Sequence, residues 1–104
     1  MATVEAMTAE RVMATLRARE AELRAAGIRA LSLFGSVARG EAGQDSDIGL
    51  AAEFWPAARM DQMRLAGLER ELSVLLGREV RILPEPVEKP RLRANVARDR
   101  VRAF

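Results

Sequence analysis

One segment of the chain gathers the side chains that could carry chemistry, the stretch LFGSVARGEAGQDSDIGL at residues 33–50. Ten residues separate Ser36, which follows Gly35, from Asp47, and Arg39 lies between them. Taken alone, a glycine followed by a serine is typical of a turn and a helix N-cap. Asp47 taken alone is typical of an acid at a strand edge. These residues indicate a particular kind of site only when they are considered together with the flanking sequence and the predicted elements around them.

The residue types that the chain lacks narrow the chemistry of any site. It has no Cys, which excludes thiolate nucleophiles, zinc–thiolate sites and disulfides. It has no His, the usual general base and the commonest transition-metal ligand. A metal ion would therefore bind through oxygen ligands, which favours magnesium or manganese.

Hydrophobic periodicity predicts six elements around this segment, in the order α-β-β-α-β-α. Apolar residues recur at helical spacing over residues 8–26 and 59–76, and a glycine follows each run. Pro90 fits the first turn of a last helix that reaches about Ala103. The predicted strands are residues 28–34, 47–54 and 79–83.

Alternation along the second and third strands assigns their side chains to two faces. The apolar face carries Ile48, Leu50, Val80 and Ile82. The opposite face carries Asp47, Gly49, Glu79 and Arg81. We therefore predict an α/β (α+β) fold, a single domain over residues 1–104, in which a small mixed β-sheet has helices packed on one face and leaves the other open.

Charge and hydropathy bear on partners and location. Residues 89–104 carry six basic side chains and one acid, Asp99. Such a tail can bind nucleic acid, although a solvated helix face is the simpler interpretation, and one Trp, three Phe and no Tyr argue against a base-stacking platform. No apolar run approaches the roughly 20 residues of a membrane span, and the chain does not open on a secretory signal. We expect a cytoplasmic location and no membrane contact.

With its flanks, the segment resembles the signature of the DNA-polymerase-β-like nucleotidyltransferase superfamily. That signature is Gly-Ser at a strand end, about ten residues, and Asp-x-Asp on the next strand. The sequence GSVARGEAGQDSDI is similar to the corresponding segment of the minimal nucleotidyltransferases, and length and element order match over nearly the whole chain. Members often pair with HEPN proteins as toxin–antitoxin systems. The resemblance implies a HEPN-family partner, and a homo-oligomer remains an open alternative.

The resemblance also implies a reaction and a site. The reaction moves a nucleoside monophosphate from ATP or another NTP to a hydroxyl of a protein or small molecule, with Mg²⁺ as cofactor. Gly35 would let the triphosphate approach the backbone, and Ser36 and Arg39 would bind its oxygens. Three carboxylates on neighbouring strands would hold two metal ions. Asp47 occupies the first of these three positions.

Two positions depart from the family pattern. Gly49 stands at the second carboxylate position, and Arg81 stands where the third is expected. One carboxylate beside a guanidinium is a poor magnesium site because the fixed cation repels the metal. We expect Arg81 to pair with Asp47 and to supply part of the phosphate-binding charge. The candidates for a substitute carboxylate are Glu79, Glu53 and Asp45.

These residues predict a nucleotidyltransferase-family domain whose catalysis is impaired, acting as a nucleotide-binding or antitoxin-type partner module. The alternative is an active magnesium-dependent AMP transferase that uses Asp47 with a substitute carboxylate. A nucleic-acid-binding function would depend on the charge of the basic tail alone.

Overall fold

The computed structural model describes residues 8–43 and 46–104. Its fold class is the predicted one, a mixed β-sheet with α-helices. The elements in chain order are α1 (Ala9–Ala18), α2 (Glu20–Ala25), β1 (Ile28–Phe34), β2 (Ile48–Phe54), a 3₁₀ turn (Pro56–Ala58), α3 (Gln62–Leu76), β3 (Val80–Pro84), α4 (Pro90–Asp99) and β4 (Val101–Arg102).

The described strands form one sheet in the order β3-β2-β1-β4. β1 runs antiparallel to both β2 and β4, whereas β2 and β3 are parallel. This topology brings the end of β1 and the starts of β2 and β3 to the same edge of the sheet. The Gly-Ser pair and the carboxylate positions therefore meet there.

One face of the sheet is buried beneath α1, α2 and α3. The four apolar residues predicted for this face are each at most 4% exposed: Ile48, Leu50, Val80 and Ile82. They belong to one core cluster with side chains from all three helices, including Val12, Leu16, Leu23, Leu68 and Leu72. Burying a side chain of this size typically contributes about 1.5–3 kcal/mol, so the predicted faces of β2 and β3 are confirmed.

The last helix adds contacts on the opposite face, next to β1. Arg100 follows α4 directly, and its Nη1 donates a hydrogen bond of 3.0 Å to the Ser32 hydroxyl. Ser32 points away from its core neighbours Leu31 and Leu33 because successive strand residues alternate. The predicted one-face packing therefore holds for α1 to α3. The second face is covered at Ser32 and exposed at Arg81.

The predicted first helix, residues 8–26, is divided into α1 and α2 at Arg19. The N–H of Arg19 bonds to the Leu16 carbonyl, three residues back, so the chain closes a tighter turn there. Its N-terminal end is as predicted, because the Thr8 hydroxyl caps α1 by accepting from the Arg11 N–H.

The predicted last helix is also too long. It ends at Asp99, and the next two residues form β4, with Val101 opposite Leu33 and Arg102 opposite Ser32. The free edge of β1 offers backbone hydrogen bonds that only this tertiary arrangement brings within reach.

The third helix begins at Gln62, three residues later than predicted. Asp61 is its N-cap, and its Oδ1 accepts from the Arg64 N–H at 2.8 Å. Arg59 adopts a left-handed backbone, with φ of 49°, which is incompatible with the helix.

The outer edge of β3 is closed by side chains of α3. Ser73 Oγ accepts from the Val80 N–H at 2.9 Å, and Glu69 Oε2 accepts from the Ile82 N–H at 2.8 Å. An unpaired strand edge is a template for adding another strand. These two side chains therefore occupy the donors with which a foreign strand would pair.

Candidate functional site

The candidate site lies at the sheet edge where β1 ends and β2 and β3 begin. Register places Phe34 opposite Gly49, and Gly49 opposite Arg81, in one row across three strands. Gly35 and Ser36 continue the chain from Phe34, and Asp47 immediately precedes β2. The structure therefore gathers the predicted site residues at one edge.

The segment after β1 folds into a compact turn. The Arg39 N–H bonds to the Gly35 carbonyl at 3.1 Å, and the Glu41 N–H bonds to the Ser36 carbonyl at 2.9 Å. Gly35 has φ of 87°, a backbone conformation that favours glycine, and among the described residues no atom other than those of its chain neighbours lies within 4 Å of where its Cβ would be. Val37 is buried in the core and anchors the turn from below.

This turn presents backbone donors that have no partner among the described residues. Within residues 8–43 and 46–104, the N–H groups of Ser36 and Val37 donate no hydrogen bond to the protein. The Ser36 hydroxyl makes none there either. Neighbouring free N–H groups beside a hydroxyl suit phosphate oxygens. The geometry is compatible with the phosphate-binding role predicted for Gly35 and Ser36.

Asp47 and Arg81 form the predicted ion pair. Arg81 Nε lies 3.3 Å from Asp47 Oδ2, and Arg81 Nη2 lies 3.4 Å from Glu79 Oε1. The side chains of Asp47 and Arg81 are 43% and 68% exposed. A pair this accessible typically contributes at most about 1 kcal/mol. The pair matters more for metal binding than for stability, because the guanidinium is bound to the carboxylate that a metal ion would need.

Gly49 is in contact with an aromatic ring. A Cβ added there would lie 3.0 Å from Phe34 Cζ and 3.1 Å from the Phe34 carbonyl oxygen. Ordinary van der Waals contact requires a few tenths of an ångström more. An aspartate at this position would therefore have to displace Phe34, so the missing carboxylate is coupled to the packing of the strand before the turn.

Arg39 makes contacts that the sequence analysis did not predict. Its Nη1 donates to Asp99 Oδ2 at 2.7 Å, and its Nε donates to Glu41 Oε2 at 3.0 Å. Asp99 also accepts from Arg98, whose Nε lies 2.9 Å from Oδ1. The one sequence signal for Asp99 was its position as the lone acid of the basic tail.

Asp99 is a buried carboxylate between two cations. Its side chain is 2% exposed. The hydrogen bond from Arg98 lowers the pKa of Asp99 to about 2, with burial acting in the opposite direction and the bond from Arg39 adding to the decrease. The hydrogen bond to Glu41, followed by the one to Asp99, raises the pKa of Arg39, and the bond to Asp99 raises the pKa of Arg98. All three groups stay charged at neutral pH.

The described residues do not fit a magnesium site of three carboxylates. No group of three acidic side chains that could hold a metal occurs in the described part of the chain. Glu53 pairs with Ala30 at the far end of β2, about 20 Å from Asp47, so it was wrongly proposed as a substitute. Glu79 is near Asp47 but shares Arg81 with it. Asp45 lies outside the described residues.

Several basic side chains of the tail bond within the domain. Arg98 pairs with Asp99, and Arg100 Nη2 lies 2.8 Å from Glu85 Oε1. Arg98 and Arg100 of the tail are therefore engaged in ion pairs within the domain and do not add to a free basic surface. No helix in the described residues is both long and apolar enough to cross a membrane.

The fold and the turn define the class of protein: a small α/β domain with a glycine-serine turn beside a strand that starts at an aspartate. The sequence profile of the nucleotidyltransferase domain family matches residues 16–103. The chain belongs to this family.

Individual relatives agree with this assignment. The protein adenylyltransferase MntA of Thermococcus cleftensis is 33% identical over 93 residues, which is 88% of each chain. A solved structure assigned as a minimal nucleotidyltransferase superposes with a TM-score of 0.74 at 35% identity, covering 94% of this chain and 98% of that one.

A more distant structure is similar in fold. It is the complex of a tri-AMPylated HEPN toxin of Shewanella oneidensis with its MNT antitoxin, and it matches with a TM-score of 0.65 at 17% identity. The match covers 88% of this chain and 71% of that one.

Proposed function

We propose that this protein is an antitoxin-type nucleotidyltransferase domain that binds ATP or another NTP but transfers its nucleotide poorly or not at all. The observation that carries the proposal is the Asp47–Arg81 ion pair, with 3.3 Å between Nε and Oδ2. It places a fixed cation at the one family carboxylate left in the motif. The resemblance implies that nucleotidyl transfer would need metal ions held at that point.

Phosphate binding is the part of the family chemistry that the remaining residues support best. The free N–H groups of Ser36 and Val37 and the Ser36 hydroxyl can donate to phosphate oxygens. Arg81 is exposed and held by two loose ion pairs, so its guanidinium can turn from carboxylate to phosphate at small cost. ATP would then bind without the magnesium that the family resemblance implies.

A HEPN-family protein is the partner that we propose. The adenylyltransferase relative and the HEPN–MNT complex described above support this assignment. In the proposed role the domain would bind the toxin and hold it inactive by contact. The location that fits such a role is the cytoplasm.

The alternative is an active magnesium-dependent AMP transferase, and one observation favours it. Asp47 and Glu79 reach the same guanidinium, so the two carboxylates are neighbours. If Arg81 moved away, they could share one divalent cation.

One experiment separates the two functions. The purified protein is incubated with α-labelled ATP and magnesium, alone and with a HEPN-family protein from the same genome. Binding of ATP and of the partner without labelling is the expected outcome. Labelling of the partner that requires magnesium and is abolished by Asp47→Asn would establish the active enzyme instead.

A further inference from the structure

In the described part of the chain, the turn from Gly35 to Glu41 is attached to the rest of the domain by core packing and by an ion pair. Val37 anchors it to the core. On its other side, the Arg39 side chain reaches the last turn of α4 and donates to Asp99 at 2.7 Å, across 60 residues of sequence. The sequence analysis predicted a phosphate-binding role for Arg39 and did not predict this ion pair with Asp99.

Burial and charge make this attachment firm. The Asp99 carboxylate is 2% exposed, and it receives hydrogen bonds from both Arg39 and Arg98. A buried carboxylate needs such partners, and removing one leaves its charge incompletely compensated. The pKa of Asp99, lowered to about 2, keeps the group ionised at neutral pH.

Arg39 differs in this respect from Arg81. Two of its nitrogens are engaged by the carboxylates of Asp99 and Glu41, at 2.7 and 3.0 Å. Arg81 makes longer contacts of 3.3 and 3.4 Å with exposed partners. An incoming phosphate would have to compete with a short, partly buried ion pair for Arg39 and only with loose, solvated pairs for Arg81.

The backbone of Arg39 connects this ion pair to the turn. Its N–H closes the turn on the Gly35 carbonyl, and the N–H groups of Gly40 and Glu41 continue the turn by donating to the carbonyls of Val37 and Ser36. Holding the Arg39 side chain therefore helps to hold the hydrogen bonds that set the spacing of the Ser36 and Val37 donors.

We propose that Asp99 is a positioning residue of the nucleotide site, which fixes the phosphate-binding turn through Arg39. Arg39 is then a structural connection between the turn and α4, not a ligand of the phosphate. The inference is built on the proposed nucleotide-binding function and assigns to α4 the task of preorganising the turn before the nucleotide arrives.

Amide hydrogen exchange tests the attachment without any ligand. Asp99→Asn, Arg39→Ala and the double variant should each speed exchange at the Arg39 and Glu41 amides by about tenfold, while the Leu33 and Leu50 amides change little. Glu41→Gln, which removes the charge of only the exposed partner of Arg39, is the matched control and should change exchange less than twofold. Unchanged exchange in Arg39→Ala would overturn the proposal, and this arm remains decisive even if Asp99→Asn does not fold.

A double-mutant cycle on ATP affinity tests the consequence for the site. Asp99→Asn and Arg39→Ala should weaken ATP binding by similar factors of about three- to tenfold, and the double variant should lose no more than either. A much larger loss in Arg39→Ala than in Asp99→Asn would make Arg39 a direct ligand and overturn the proposal. An equal loss from Asp99→Asn with and without Arg39 would overturn it as well. If the unmodified protein binds no ATP, the proposed function fails, while the exchange experiment still decides whether Asp99 fixes the turn.

Discussion

Arg81 lies across from Gly49 on the neighbouring parallel strand, and its guanidinium turns to Asp47, with Nε 3.3 Å from Oδ2. In this pair, Asp47 matches the family pattern and Arg81 departs from it. Glu79 contacts the same guanidinium at 3.4 Å. Arg81 thus binds between two carboxylates at the place where the family resemblance predicts a metal ion.

The first prediction concerns magnesium. Arg81→Asp should tighten magnesium binding by about tenfold or more over the unmodified protein, because it replaces a cation with a third carboxylate beside Asp47 and Glu79. Gly49→Asp alone should have a smaller effect, since Phe34 must first move. Isothermal titration calorimetry with magnesium checks both. Arg70→Asp, the same charge change on the exposed face of α3, is the control, and equal tightening there would contradict a local site.

The second prediction concerns the packing at Gly49. Gly49→Ala should lower the free energy of unfolding by about 1 kcal/mol, because the new methyl group would lie 3.0 Å from the Phe34 ring. Adding Phe34→Ala should reduce the specific cost of Gly49→Ala, because only the contact with the Phe34 carbonyl oxygen then remains. Gly67→Ala within α3 meets no atom within 4 Å and should instead stabilise by about 0.5–1 kcal/mol. Urea denaturation measures all three, and a stabilising Gly49→Ala would contradict the close contact.

The third prediction concerns nucleotide binding. Without magnesium, Ser36→Ala should weaken ATP binding by about 1–2 kcal/mol, as expected for one hydrogen bond to a charged group. Arg81→Ala should also weaken it, whereas Thr15→Ala, a hydroxyl deletion on α1, should leave it unchanged. Fluorescence titration with a labelled ATP analogue reports the affinities. An affinity insensitive to Ser36 would rule out the glycine-serine turn as the phosphate site.

The fourth prediction concerns the closed edge of β3. Ser73→Ala and Glu69→Ala should each cost about 1 kcal/mol of stability, because each leaves a strand N–H without its acceptor. The double variant should self-associate at high protein concentration through the opened edge. Size-exclusion chromatography with light scattering checks this against Arg70→Ala on the same helix. A monomeric double variant at millimolar concentration would show that another feature protects the edge.

The fifth prediction concerns acid. The pKa of Asp99 is lowered from 3.8 to about 2 in the folded protein, so its contribution to stability is complete above about pH 4. That contribution should be lost as the pH falls from 4 towards 2, when the carboxylate binds a proton. Denaturant unfolding at several pH values should show a shallower acid dependence for Asp99→Asn than for the unmodified protein. Identical slopes would mean that Asp99 is not held ionised by Arg98 and Arg39.

The sequence by itself determined the strands, their buried faces and the place of the site. Alternation put Ile48 and Leu50 in the core because side chains on a strand point to alternate faces. The spacing from Ser36 to Asp47 and the residue types at positions 49 and 81 identified the family pattern and its departures. From these, the ion pair between Asp47 and Arg81 could be predicted, since both residues fall on one face of neighbouring strands.

Only the tertiary structure decided the contacts between distant parts of the chain. The Arg39–Asp99 pair joins residues 60 apart, and the place of α4 on the second face brings them together. The same holds for β4, because Val101 and Arg102 leave the helical pattern only when the open edge of β1 supplies partners for their backbone. Local periodicity reports which face of an element is apolar, whereas backbone pairing and buried charge depend on what the rest of the fold places opposite.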